Sequence, residues 1–147
     1  MPSKHIINAA IKAASNCESD YQLASVLYKG GAILRVAVNS KQFIGYRKNI
    51  FEFEPTRHSE VAVLHNMPRD VLRECSMLVI RINKKKELVS AKPCKACLAA
   101  IKQAGISKVY YTDYQGNIQK INPVFIDLED WDKEKFESKN QAELYIA

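Results

Sequence analysis

At 147 residues, 47% of them hydrophobic, the chain has material for one buried core, and its apolar runs stay short, as from Met77 to Ile80. That excludes a membrane-spanning helix, and Lys4 and Lys12 interrupt the N-terminus before a signal-peptide core could form. The net charge of +6 is uneven: residues 1–122 hold 19 Lys and Arg against 9 Asp and Glu, residues 123–147 hold 3 against 7. The expectation is a single domain over 1–147, soluble and intracellular in cytoplasm or nucleus, that folds alone or as a homo-oligomer. Its basic body suits an anionic partner, or serves solubility alone.

Ile6, Ile7, Ala10, Ala14 and Cys17 recur at helical spacing, so Lys4 to about Cys17 reads as an amphipathic helix with Ser3 as N-cap candidate. Gln22 to Tyr28 and Ala32 to Asn39, rich in Val, Leu and Ile and parted by Lys29-Gly30-Gly31, read as a hairpin. From Ser40 to Thr56 runs a long connection in which Lys41, Phe43, Tyr46, Arg47, Lys48, Phe51 and Phe53 mingle cations and rings. Such a mixture suits a single-stranded nucleic-acid groove, where cations hold phosphate and rings stack on bases; a surface loop beside an edge segment is the plainer alternative.

A second helix is expected from Arg57 to about Asn66, with Thr56 as N-cap candidate and His65 as a packing or surface histidine, then a short helical piece from Pro68 to Glu74. Ser76 to Asn83 reads as a third strand, with Met77, Val79 and Arg81 alternating against Leu78, Ile80 and Ile82. Lys84-Lys85-Lys86 makes a charged turn. A helix follows from Cys94 to about Ala104, ended by Gly105, then a fourth strand from Ile106 to Thr112 and a fifth, edge strand from Asn117 to Ile121. Residues 122–147, acidic and holding Trp131, Phe136, Leu144 and Tyr145, read as a helical extension packed back on the domain. This order of elements is that of an α/β three-layer sandwich.

Two motifs carry chemistry. His58, Cys94 and Cys97 offer one imidazole and two thiolates, a set that suits a catalytic zinc with its fourth position open. Cys94 and Cys97, at i and i+3 after Pro93, fall on one face of a helix start. Glu60, two residues from His58, is a carboxylate left over from that set. An architectural zinc, or a buried histidine and cysteines without metal, is the alternative. Cys17 and Cys75 are expected to be reduced packing residues.

H-x-E (His58 to Glu60) with P-C-x-x-C (Pro93 to Cys97) resembles the signature of the cytidine deaminase superfamily, over a stretch from about Gln22 to about Ile121. The resemblance implies a five-stranded mixed sheet carrying two zinc helices on one face of an α/β/α sandwich. It implies Zn2+ on His58, Cys94 and Cys97, and Glu60 as the proton carrier that converts cytosine to uracil. It also implies substrate contacts from Asn39, from Ser59 through its backbone, and from Tyr111 as a stacking ring. The zinc histidine differs from the free-nucleoside enzymes, Ser59 replaces a common alanine, Lys92 differs from the tRNA and APOBEC-type contexts, and the Lys84 to Glu87 insert is similar to virus-type deaminases. The leading expectation is a deaminase of single-stranded DNA or RNA; the alternatives are a deoxycytidylate (dCMP) deaminase, a tRNA adenosine deaminase and an inactive zinc-folded binding module.

Overall fold

A computed structural model describes residues 1–18, 21–39 and 58–131. The connection from Ser40 to Thr56 and the extension beyond Trp131 lie outside the described residues.

The first helix, α1 (Lys4–Ser15), starts where Ser3 accepts a hydrogen bond from the Ile6 amide, and it buries Ile6, Ala10 and Ala14 along one stripe. Two strands follow, β1 (Gln22–Lys29) and β2 (Ala32–Val38), then two short helices, α2 (Ser59–Leu64) and α3 (Arg69–Leu72). Next come β3 (Ser76–Ile82), β4 (Leu88–Val89), α4 (Lys95–Ala104), β5 (Lys108–Thr112) and β6 (Ile118–Ile121). A 3-10 turn at Pro123–Phe125 leads to helical residues 128–131.

The strands form one mixed sheet in the order β2-β1-β3-β5-β6; β1–β3 is antiparallel and β3–β5 parallel. Among the described residues the sheet has six strands rather than five, because β4 pairs with β3. The cause is local. Asn83 Oδ1 accepts from the amides of Lys85 and Glu87, and Lys86 adopts φ 65, so the lysine turn reverses the chain and lays Leu88 and Val89 beside Ile82 and Arg81.

The central strands are buried on both faces. Ala24, Val26, Tyr28, Leu78, Ile80 and Ile82 pack under α1. Leu27, Met77, Val79 and Val109 pack with Val63, Leu72, Ile101 and Ile106 from α2, α3, α4 and the turn after it. This is the three-layer α/β/α arrangement, and among the described residues α1 is the one helix on its side. A helix as short as α2 has no stability by itself. It persists because Val61 and Val63 are buried and because Arg35 of β2 donates to the Val63 carbonyl at 3.5 Å and to that of His65, closing its C-terminal end. α4 ends at Gly105, where φ is +85 and the amide bonds the carbonyls of Ile101 and Lys102.

Candidate metal centre and active site

Both motif helices begin at a candidate metal ligand. His58 is the N-cap of α2, with φ −69 and ψ 141, rather than a residue inside a helix capped by Thr56. Cys94 is the N-cap of α4, and its Sγ accepts the Cys97 amide at 3.4 Å. A cap residue has extended φ and ψ, so its side chain projects from the helix end and not along its flank. That turns the imidazole and the Cys94 sulfur toward one point, and Cys97, in the first turn of α4, adds the second sulfur.

His58 Nδ1 lies 3.1 Å from Cys97 Sγ and 3.7 Å from Cys94 Sγ, and the three candidate ligand atoms all lie within 4.8 Å of one another. Tetrahedral zinc, with Zn–S about 2.3 Å and Zn–N about 2.0–2.1 Å, holds its nitrogen and sulfur ligands about 3.6 Å apart. The observed separations bracket that value, so the set fits zinc. Among the described residues, this is the only group of three or more His, Cys, Asp or Glu able to hold a metal. The thiol hydrogen bond from Cys97 draws Cys94 down to about 4 against the effect of burial, with His58 and the Cys97 amide acting in the same direction. The same bond, followed by burial, pushes Cys97 up. The cysteine pair therefore favours one thiolate, the form that binds metal.

Glu60 is 4% exposed, in the first turn of α2. Burial pushes its carboxyl above the ordinary carboxylate range, countered by its own backbone amide, His58 and the Ser59 hydroxyl. Ser59 Oγ donates to Glu60 Oε1 at 3.1 Å and lies 2.8 Å from Ser25 Oγ. A hydroxyl has one proton to donate. Since that of Ser59 goes to Glu60, the Ser25 proton goes to Ser59, and a two-hydroxyl chain runs from β1 into the carboxylate. All of it is buried.

Asn39 is 5% exposed; its Oδ1 accepts the Leu23 amide at 3.0 Å and the Cys17 thiol at 3.4 Å, fastening the end of β2 to β1. Tyr111 meets the Trp131 ring edge-on, with centroids 6.2 Å apart. Cys17 and Cys75 are reduced and buried, as expected.

Sequence reasoning overlooked Ser25 and undervalued Arg81. A serine in the apolar strand Q-L-A-S-V-L-Y-K was the available signal for the first, since a buried hydroxyl needs a partner. Cross-strand pairing puts Ser25 opposite Val79 and Leu23 opposite Arg81, so Arg81 shares the sheet face of Ser25 one pair further along. Its guanidinium lies 4.6 Å from the Tyr21 ring centroid, and its buried Nε has no hydrogen-bond partner among the described residues.

Residues 2–113 match the family model described as the cytidine and deoxycytidylate deaminase zinc-binding region. The chain belongs to this family. It is thus a zinc-dependent hydrolytic deaminase, and His58, Cys94 and Cys97 are positioned to bind the metal. A solved structure of dCMP deaminase from the cyanophage S-TIM5, in apo form, is similar over 76% of this chain and 86% of that chain, at 22% identity and a TM-score of 0.46. No curated protein sequence matches. Among the described residues, no helix is long and apolar enough to cross a membrane.

Proposed function

We propose that this deaminase hydrolyses the cytosine of a pyrimidine mononucleotide such as dCMP to uracil, releasing ammonia, with Glu60 as its proton carrier. The observation that carries the reading is that Glu60, the one buried carboxylate among the described residues, stands beside the His58, Cys94 and Cys97 set and is held by the Ser59 hydroxyl. When bound, zinc supplies the Lewis acidity that makes water a nucleophile near neutral pH. Ser59 fixes Glu60 Oε1, and the carboxylate takes a proton from the attacking water. Glu60 then returns it to the ring nitrogen and carries the proton of the newly added hydroxyl to the departing amine, so the carbonyl forms as the C–N bond breaks and one water is consumed per ammonia released. Ser59 meets the base through its backbone while its hydroxyl orients Glu60. Asn39 shapes the sugar side of the site, and the Tyr111 ring borders the base.

The mononucleotide is favoured by Arg81, an arginine with an unpartnered buried Nε on the sheet face of the site, suited to one phosphate. Lys86 of the lysine turn does not add to that face: its Nζ bonds the Ser15 carbonyl at the end of α1, on the opposite side of the sheet. A polynucleotide substrate is the second reading, favoured by the aromatic and basic segment from Lys41 to Phe53.

One assay offers dCMP, cytidine, single-stranded DNA and RNA side by side to the zinc-loaded protein and to Glu60→Gln. The expected result is fastest turnover of dCMP, lost by about 100-fold or more in a variant that retains its zinc. Turnover confined to the polymers overturns the mononucleotide reading. An active Glu60→Gln removes Glu60 from the mechanism.

A further inference from the structure

The family match ends at residue 113, yet a later segment reaches the ligand turn. Trp131 is 1% exposed, and its Nε1 donates to the Pro93 carbonyl at 2.8 Å in a buried hydrogen bond. Its ring stands edge-on to Tyr111 of β5, and Lys92 Nζ lies 4.3 Å from the ring centroid. The approach to Trp131 is tied to α4, through Lys102 Nζ to the Ile126 carbonyl at 2.8 Å and through Lys95 to Glu129 at 2.9 Å. The second of these is an exposed pair and contributes little. The indole is the anchor.

We propose that Trp131 is a positioning residue of the metal centre, fixing through the Pro93 carbonyl the turn that presents Cys94 and Cys97. The Pro93 carbonyl shares a rigid peptide plane with the Cys94 nitrogen. Anchoring that oxygen therefore sets the plane from which Cys94 Cα and Sγ project, and Cys94 Sγ in turn accepts the Cys97 amide. Proline also fixes φ on the other side of the carbonyl, so little freedom is left between the indole and the first sulfur. Outer partners of this kind tune metal affinity because they hold the ligands where the ion needs them. The proposal rests on the reading of His58, Cys94 and Cys97 as zinc ligands.

Trp131→Phe keeps a ring against Tyr111 and removes the donor. In competition with a chromophoric chelator, its zinc dissociation constant is expected to rise about tenfold. Cys94→Ser, which deletes a ligand, gives the scale for complete disruption. If Cys94→Ser holds zinc as tightly as the parent, the ligand reading fails, and the proposal with it. Melting separates positioning from plain packing: the fall in Tm should be larger with zinc than without it. Zinc affinity within twofold of the parent, or equal falls in both forms, overturns the proposal.

A third measurement needs no variant, because Trp131 is the sole tryptophan of the chain. Coupling between two sites is reciprocal, so if indole docking favours zinc, zinc must favour indole docking. Acrylamide quenching of the parent protein is expected to increase when zinc is stripped. Identical quenching in both forms overturns the proposal, even should Trp131→Phe fail to fold.

Discussion

Ser59→Ala removes one hydroxyl from a fully buried position and tests how Glu60 is held. Ser59 is linked to Glu60 Oε1 at 3.1 Å and to Ser25 at 2.8 Å, so the substitution acts at both ends of the chain. A hydrogen bond to an ionised group contributes about 1.5–3 kcal/mol. If that energy selects the productive carboxylate rotamer, its loss lowers kcat by about 10- to 100-fold, at about 1.4 kcal/mol per decade. KM and zinc content should be unchanged, since neither the substrate nor the metal ligands lose a contact.

At the other end, Ser25 is left with a buried, unaccepted hydroxyl proton, at about 1–3 kcal/mol, or a fall in Tm of about 3–10 °C. Replacing both partners by apolar groups is nearly neutral, so Ser25→Ala/Ser59→Ala should recover most of the Tm and none of the turnover. The assay is steady-state kinetics with zinc analysis and thermal melting on the three variants. Turnover within twofold of the parent in zinc-loaded Ser59→Ala refutes the orienting role. Recovery of turnover together with Tm in the double variant would trace the defect to stability instead.

Arg81→Gln should lower kcat/KM for dCMP by about 10- to 100-fold, as expected for a lost charge-assisted phosphate contact, and leave cytidine within about twofold; equal losses on both substrates refute the phosphate role. Gly105→Ala forces a side chain into φ +85 and brings a Cβ to 3.2 Å from Arg73 Cγ. Since that neighbour is a flexible side chain, the backbone dominates, and denaturant melts should show a loss of about 1–2 kcal/mol. Burial, reinforced by Tyr110, pushes the Tyr28 hydroxyl up to about 12 against its Ser76 hydrogen bond. Below about pH 10 the phenol is neutral in both states, and between about pH 10 and 12 only the unfolded chain ionises, so stability falls across that window. Tyr28→Phe should flatten this part of the stability profile; an unchanged alkaline slope refutes the assignment.

Much of the centre was legible because its chemistry is local. His58 and Glu60 are two residues apart, Cys94 and Cys97 three apart, and only a few side-chain types bind zinc or carry protons. The strands were legible for a similar reason: β3 alternates between two apolar clusters, so its periodicity survives even with both faces buried. The helix starts were displaced. Pattern reading placed His58 inside α2, whereas a cap residue carries extended backbone that hydrophobic periodicity does not register. The strand β4 was missed because two residues have no period; it exists through the turn geometry of Asn83 and Lys86.

From the sequence alone came the ligand set, the spare carboxylate and the alternation of helices and strands, since each depends on residue type and short spacing. Tertiary structure decided what those residues lean on. Ser25 lies 34 positions from Ser59, Arg81 shares the sheet face of Ser25 only through the register of β1 on β3, and Trp131 lies 38 positions from Pro93. No local pattern encodes such pairings. They arise when the sheet sets the register and buried polar atoms bond to the partners it brings within reach.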